Sequence, residues 1–398
     1  MIYIIKFFWI ISVIVFLYNP PVLHLGFEFV LPIFLWLPFL TRRVINSIIS
    51  VYIKLKFYFY FYWIFLIVSF VLTAFLGGDF SFLFSLIKIL FTFVGVLILS
   101  NIGFSIFFNK VYVLFTPFFL QLIYIYIGLF NYKLTFPIQS YLHLNNYARF
   151  ELNYLGQRGL SFSDSLAFGL VLQLGVLFIF ITYFLIKDGR NFITLFLLFS
   201  FAPLMSAGRT AAVFYFLLLF INYRHLLKMS FFLFIFFFTI VLISGPTFIS
   251  EFRLFEYVLS SYFDYLVTGE VSNSSLDALY NNMLYKVDLC DFLIGKAKYY
   301  NPDGTYYGSS DSGYFRFLFF FGIVISIIIY VGYFFVSLIS FKKVGINWNF
   351  YVPFILLLFL LHIKGEVVNS HSLHSALFWS LSFFVLDNKR ANSKLLDF

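Results

Sequence analysis

The chain has 398 residues, of which 62% are hydrophobic, 25% aromatic and only 11% charged. A soluble domain carries about 25% charged and about 45–50% apolar residues, and no water-soluble core of this length hides so much apolar surface. A disordered chain, a nucleic-acid binder and a disulfide-stapled secreted domain are excluded, which leaves an all-α polytopic integral membrane protein. The formal net charge of +9 then becomes a question of where the basic residues lie relative to the membrane.

Residues 1–18 read as a first membrane helix, not a cleavable signal. They run into Tyr18-Asn19-Pro20-Pro21 without a small-residue cleavage pattern, and another apolar stretch follows at once. A span needs about 20 mainly apolar residues. Further spans are predicted at 22–40, 57–76, 82–100, 111–130, 165–186, 192–207, 210–222, 229–249, 315–340, 348–363 and 375–386, about 12 transmembrane helices in all. Five fall within 1–130, four within 165–249 and three, with a tail, within 315–398. The two long connections, 131–164 and 250–314, lie between these groups.

With the N-terminus in the cytoplasm, the inner loops hold Arg42, Arg43, Lys54, Lys56, Lys110, Lys187, Arg190, Arg224, Lys228, Lys342 and Lys343. The tail adds Lys389, Arg390 and Lys394, and the only acids on this side are Asp188, Asp387 and Asp397. Each inner loop carries Lys or Arg, the positive-inside pattern, so both termini are expected in the cytoplasm and both long loops outside. Function usually lives on such loops, held by a rigid scaffold. Inside the spans, Lys6, His24, Glu28 and Lys88 either snorkel or pair. The single cysteine, Cys290, reads as a small buried residue.

Five polar groups could carry chemistry. In the first long loop Arg158 and Asp164 precede a helix start, where Ser163 or Asp164 can cap and a helix N-terminus beside an arginine can hold an anion. Residues 205–212 read Met-Ser-Ala-Gly-Arg-Thr-Ala-Ala. Their small residues allow close helix packing around Arg209, which is either a topological anchor or a phosphate-binding guanidinium. Arg253 stands near Glu251 and Glu256, as a surface ion pair or a further cation. The second long loop ends in Asp311-Ser312-Gly313-Tyr314-Phe315-Arg316, ahead of an apolar helix containing Gly322. Asp311 caps that helix or acts as a carboxylate at the membrane surface. The last outer loop, Lys364-Gly365-Glu366-Val367-Val368-Asn369-Ser370-His371-Ser372-Leu373-His374, is a dense polar cluster. Its histidines suit proton transfer better than metal, because no third ligand stands at useful spacing.

Three of these features, in this order, resemble bacterial O-antigen polymerases of the Wzy family and, more loosely, O-antigen ligases. They are Arg-Gly-x-x-Phe-x-Asp (Arg158, Gly159, Phe162, Asp164), Ser-x-x-Arg-Thr (Ser206, Arg209, Thr210), and Asp-Ser-Gly-Tyr before a glycine-containing helix (Asp311 to Tyr314, Gly322). The chain has Ser165-Leu166 where the ligase-like pattern commonly shows Pro-Asn. The resemblance implies a multi-pass protein of the bacterial inner membrane whose partners are an undecaprenyl-diphosphate-linked glycan, membrane lipid and a chain-length regulator, with no nucleic acid. It implies transfer of the growing glycan to the next lipid-linked repeat unit on the periplasmic face, without a metal or other cofactor. On that reading Arg158, Arg209 and Arg253 stabilise the departing diphosphate, Tyr314 and Arg316 join them in binding diphosphate or glycan, and Asp311 or His371 takes the acceptor proton. Tyr299, Tyr300, Tyr306 and Tyr307 offer stacking faces. The competing expectations are an O-antigen ligase and a repeat-unit flippase or other transporter.

Overall fold

The computed structural model describes residues 2–20, 28–107, 111–142, 168–189, 193–211, 289–301 and 312–394, with positions 213, 214, 217 and 307. Every regular element among them is helical: α1 (Ile2–Tyr18), α2 (Leu31–Trp36), α3 (Arg42–Leu76), α4 (Ser81–Ile106), α5 (Val111–Phe130), α6 (Tyr132–Leu142), α7 (Phe168–Lys187), α8 (Ile193–Ala207), α9 (Leu289–Ile294), α10 (Gly313–Val344), α11 (Trp348–Leu361) and α12 (His371–Lys394), with short 3-10 turns between some of them. Five of these, α3, α4, α5, α7 and α10, are long and apolar enough to cross a membrane. They coincide with predicted spans. The expected spans at 210–222 and 229–249 lie almost wholly outside the described residues.

The predicted span at 22–40 takes a different form. Its described part is α2 flanked by the 3-10 turns Glu28–Val30 and Leu37–Phe39. Twelve residues cover about 18 Å, well short of the ~30 Å hydrocarbon layer. Pro32 and Pro38 stand at the starts of successive pieces, where proline is tolerated but the preceding ladder is cut. In contrast, α3 is longer than predicted: the basic stretch 42–56, expected as a loop, is helical and continuous with 57–76. Thr41 caps its start, accepting from the Val44 amide at 3.4 Å, and Gly77 closes it in the left-handed region at φ 62°.

The centre of the bundle is α12, which packs against α1, α3, α4, α5, α7 and α10. Residues 372–386 are buried on every side, although they include Ser372, Ser375, Ser380 and Ser382. In lipid there is no hydrophobic gain in joining two apolar helices, so close packing and interhelical hydrogen bonds hold them together. Ser382 Oγ meets Ser100 Oγ of α4 at 2.6 Å, and Gln173 of α7 donates to Ser375 Oγ at 3.0 Å. The lipid side is read from α3, where only 22% of the most apolar stretch is buried, against 83% in α7. Ile53, Tyr60, Ile64, Ile67 and Val71 lie exposed along α3 at helical spacing.

Prolines inside helices leave carbonyls without an amide partner, and at two of them aromatic donors on neighbouring helices take these up. Pro117 frees the carbonyl of Val113, which accepts from Trp379 Nε1 at 3.0 Å. Pro203 frees that of Phe199, which accepts from the Tyr126 hydroxyl at 2.6 Å. Trp379→Phe keeps most of the buried ring and removes the donor. It is expected to cost about 1–3 kcal/mol, the penalty of a stranded buried carbonyl. A lower thermal midpoint in detergent is the expected reading, and an unchanged midpoint contradicts it.

Candidate functional site at one end of the bundle

The site is organised by a break in α10. At Gly322 the backbone turns to φ 71°, ψ 172°, a region essentially reserved for glycine. A Cβ there would stand 2.3 Å from the Leu293 carbonyl oxygen. The break releases two helical carbonyls, and both accept from a remote segment: Lys296 N donates to Phe319 O at 2.7 Å and Ala297 N to Phe320 O at 3.1 Å. The same segment is tied to the turn between α3 and α4. Asp79 N donates to Ala297 O at 2.9 Å, and Asp79 Oδ2 accepts from Tyr300 N at 3.2 Å. Residues 295–301 are thereby laid across this end of the bundle, with Tyr299 turned inward.

Tyr299 is 5% exposed and packs edge-on against Phe82. Its hydroxyl donates to Glu366 Oε2 in the loop between α11 and α12. It therefore does not offer the open stacking face expected of it, whereas Tyr300 beside it is 37% exposed. Arg316, in the first turns of α10, is buried at 8% exposure and exerts its charge on Glu366. Burial pushes the Glu366 carboxyl above the ordinary carboxylate range; Arg316, the Tyr299 hydroxyl and Asn369 oppose that rise.

The sign of this shift fixes a pH dependence. The folded protein keeps the Glu366 proton to higher pH than the unfolded chain does. Its contribution to stability is therefore full at low pH and is lost as pH rises through the raised value. Glu366→Gln removes this loss, so the melting temperature of the variant should gain on that of the wild type as pH rises from the ordinary carboxylate range. Parallel melting curves across that range would contradict the assignment.

His362, at the end of α11, knits the loop to α10. Its carbonyl accepts from Gly313 N at 3.0 Å, satisfying an amide at the start of α10. Its Nδ1 accepts from Val367 N at 2.9 Å. In the neutral ring the proton is then on Nε2, which donates to the Tyr330 hydroxyl at 3.1 Å. Tyr314 packs edge-on to the same imidazole at 4.7 Å, and its hydroxyl donates to Phe359 O at 2.8 Å. Further into the bundle, His374 Nδ1 meets Ser370 O at 2.6 Å, and its Nε2 meets the Tyr62 hydroxyl at 2.5 Å.

The loop also reaches the small-residue hairpin after α8. Lys364 Nζ donates to Thr210 Oγ1 at 3.1 Å, and Thr210 lies in the 3-10 turn Arg209–Ala211. Gly365 allows Phe168 of α7 to approach; a Cβ on it would meet that ring at 2.5 Å. Three of the polar groups singled out from the sequence therefore meet at one end: the Ser206-to-Thr210 hairpin, the Gly313-to-Arg316 helix start, and the 364–374 loop. Arg158, Arg253 and Asp311 lie outside the described residues, as does Tyr306. His371 begins α12 with its ring 4.8 Å from Phe29. Among the described residues no three of His, Cys, Asp and Glu come together as metal ligands.

Of the charged residues noted inside the spans, Lys6 lies near the rings of Tyr3 and Phe107, and Glu28 is buried. His362 and Tyr330 were not singled out from the sequence, since a lone histidine in an apolar run carries no spacing signal. At the opposite end of the bundle Lys187 donates to Asn388 Oδ1 at 3.1 Å, Asn388 donates to Val344 O at 2.8 Å, and Lys343 stands over the Phe57 ring at 4.1 Å. No family model, curated protein or solved structure matches the chain.

Proposed function

We propose that this protein is an O-antigen polymerase of the bacterial inner membrane, joining undecaprenyl-diphosphate-linked repeat units on the periplasmic face. The observation that carries the reading is the meeting of cationic and proton-accepting groups at one end of a lipid-facing bundle: the Arg209 turn, Lys364, Arg316, Glu366 and the His371 loop. A lipid-diphosphate donor needs a site at the membrane boundary, with its isoprenoid in lipid and its glycan in water. The basic residues Lys187 and Lys343 at the other end favour placing that end in the cytoplasm, and with it both termini.

In the reaction, an acceptor sugar hydroxyl attacks the anomeric carbon of the donor glycan. The bond from that carbon to the diphosphate oxygen breaks, and undecaprenyl diphosphate leaves with the electron pair. Arg209 stabilises the departing charge, assisted by Arg158 and Arg253, and guanidinium suits phosphate through paired hydrogen bonds. Asp311 or His371 takes the hydroxyl proton. Attack on the face opposite the diphosphate inverts the anomeric centre, through a transition state of oxocarbenium character.

The test is a lipopolysaccharide gel of the deletion strain, complemented with wild type or Arg209→Ala at matched membrane levels. The expected result is core plus a single repeat unit in the deletion strain, a full ladder with wild type, and a depleted ladder with Arg209→Ala. Loss of even the single repeat in the deletion strain would move the assignment to ligase or flippase. A full ladder with Arg209→Ala would remove Arg209 from the anion site.

A further inference from the structure

The first long connection, expected outside the membrane, begins by folding back along the helix that precedes it. α5 holds 20 residues, about 30 Å of helix, which is the thickness of the hydrocarbon layer. It ends at Phe130, and the chain reverses at Asn131. Asn131 N donates to Ile127 O at 2.8 Å, closing α5, and Leu134 N donates to Asn131 O at 3.1 Å, opening α6. Gln139 Nε2 then donates to the Tyr124 hydroxyl at 2.8 Å. Gln139 therefore stands beside a residue about 9 Å of helix back from Phe130. α6 lies against the last turns of a span and does not extend beyond them. The hairpin is on the side of the candidate site. α5 runs the same way as α8, with Phe115 against Phe196 and, further along both, Tyr126 against Phe199, and α8 leads into the Arg209 turn.

The two faces of α6 are the reverse of those of a helix in water. Thr135, Gln139 and Leu142, at i, i+4 and i+7, are buried, and Gln139 is 0% exposed. Leu134, Ile138 and Tyr141, at the same spacing, are exposed, Leu134 by 62%. A helix on a water-soluble surface turns its apolar stripe inward and its polar residues out. In lipid the preference inverts: polar side chains find partners only in protein, and acyl chains take the apolar face. α5 itself exposes Ile123, Ile127 and Phe130. Lys133, in the first turn of α6, is exposed. It stands at the level where α5 ends, within reach of lipid headgroups.

We propose that α5 and α6 form a re-entrant hairpin, with α6 embedded in the leaflet on the side of the candidate site and its Leu134, Ile138 and Tyr141 face against lipid acyl chains. The partner of this surface is the bilayer itself, and the hairpin stands or falls independently of the polymerase reading. The test is spin labelling of the full-length protein in liposomes of phosphatidylethanolamine and phosphatidylglycerol. Cys290→Ser removes the one native thiol, and Leu134→Cys, Ile138→Cys or Lys133→Cys then supplies a single label site. Oxygen concentrates in the bilayer and a water-soluble nickel chelate outside it, so relaxation of the label by each reports its surroundings. Labels at 134 and 138 should respond strongly to oxygen, and the nickel response at 138 should be several-fold below that at 133.

A nickel response at 138 equal to that at 133 would place α6 in water and overturn the proposal. Labels at 134 and 138 that respond to neither reagent would place this face under protein, another part of the chain or a second copy, and would also overturn it. Should the labelled variants fail to fold, Ile138→Glu compared with Ile138→Leu decides in the same liposomes. In lipid the glutamate variant should melt lower than the leucine variant, because a carboxyl replaces a lipid-facing side chain. On a water-exposed helix it would melt no lower, and that result would overturn the hairpin.

Discussion

Gly322→Ala should remove most of the folded protein from the membrane fraction. The alanine must adopt φ 71°, ψ 172°, which costs on the order of 1–3 kcal/mol by itself. Its Cβ would stand 2.3 Å from the Leu293 carbonyl oxygen and 2.6 Å from carbonyl carbons of the same segment. These are backbone atoms, so relief requires moving the chain that also supplies the Lys296 and Ala297 amides. Losing those two hydrogen bonds adds about 0.5–1.5 kcal/mol each. Against a total stability of about 5–15 kcal/mol, such a sum is disabling. Gly332→Ala in the same helix is the control. Its Cβ would meet only the Phe61 ring, at 3.1 Å, and helix propensity favours alanine by about 1 kcal/mol. Size-exclusion profiles of fluorescently tagged variants should show a monodisperse peak for Gly332→Ala and little for Gly322→Ala. Equal peaks would mean that the break in α10 is dispensable.

Arg316→Ala should abolish function and lower stability together. Arg316 is buried, and its charge opposes the upward shift of the Glu366 carboxyl. Without Arg316 only the Tyr299 hydroxyl and Asn369 oppose the burial of the Glu366 carboxyl, so ionising it becomes costlier and stability falls further as pH rises. The double variant Arg316→Ala with Glu366→Gln separates the two effects. It has no carboxyl to ionise at position 366, so the part of the lost melting temperature that grows with pH should return. On the proposed polymerase function the O-antigen ladder should not return, because that reading has Arg316 bind substrate. A restored ladder in the double variant would make Arg316 a structural counter-ion only.

Much of the scaffold was legible as hydropathy. The apolar runs at 111–130 and 192–207 correspond to α5 and α8 almost residue for residue. The misreadings have physical causes. Residues 22–40 are as apolar as a span, but Pro32 and Pro38 interrupt the helical ladder, so the segment folds as short pieces. The charge of the stretch 42–56 suggests a connection, yet lysine and arginine are good helix formers and extend α3. The last helix is longer than the span expected at 375–386. Residues 372–386 of α12 face protein on all sides, and that stretch uses serine and histidine where a lipid-facing helix uses isoleucine.

The site was legible in its parts and not in its joints. Arg209, Arg316 and the 364–374 loop stood out as polar groups beside apolar runs. What brings them together is non-local: Lys364 reaches Thr210 across 154 positions, and Tyr299 reaches Glu366 across 67. Gly322 was visible only as a glycine in an apolar helix, since periodicity does not register a break that a distant segment repairs.

The most direct test of the account is reconstitution. Purified protein in liposomes, given undecaprenyl-diphosphate-linked repeat units on the face predicted to be periplasmic, should convert them into a ladder of lengthening glycans. One undecaprenyl diphosphate should be released per unit added. Movement of intact lipid-linked units across the bilayer with no lengthening and no released undecaprenyl diphosphate would contradict the account and identify a transporter instead.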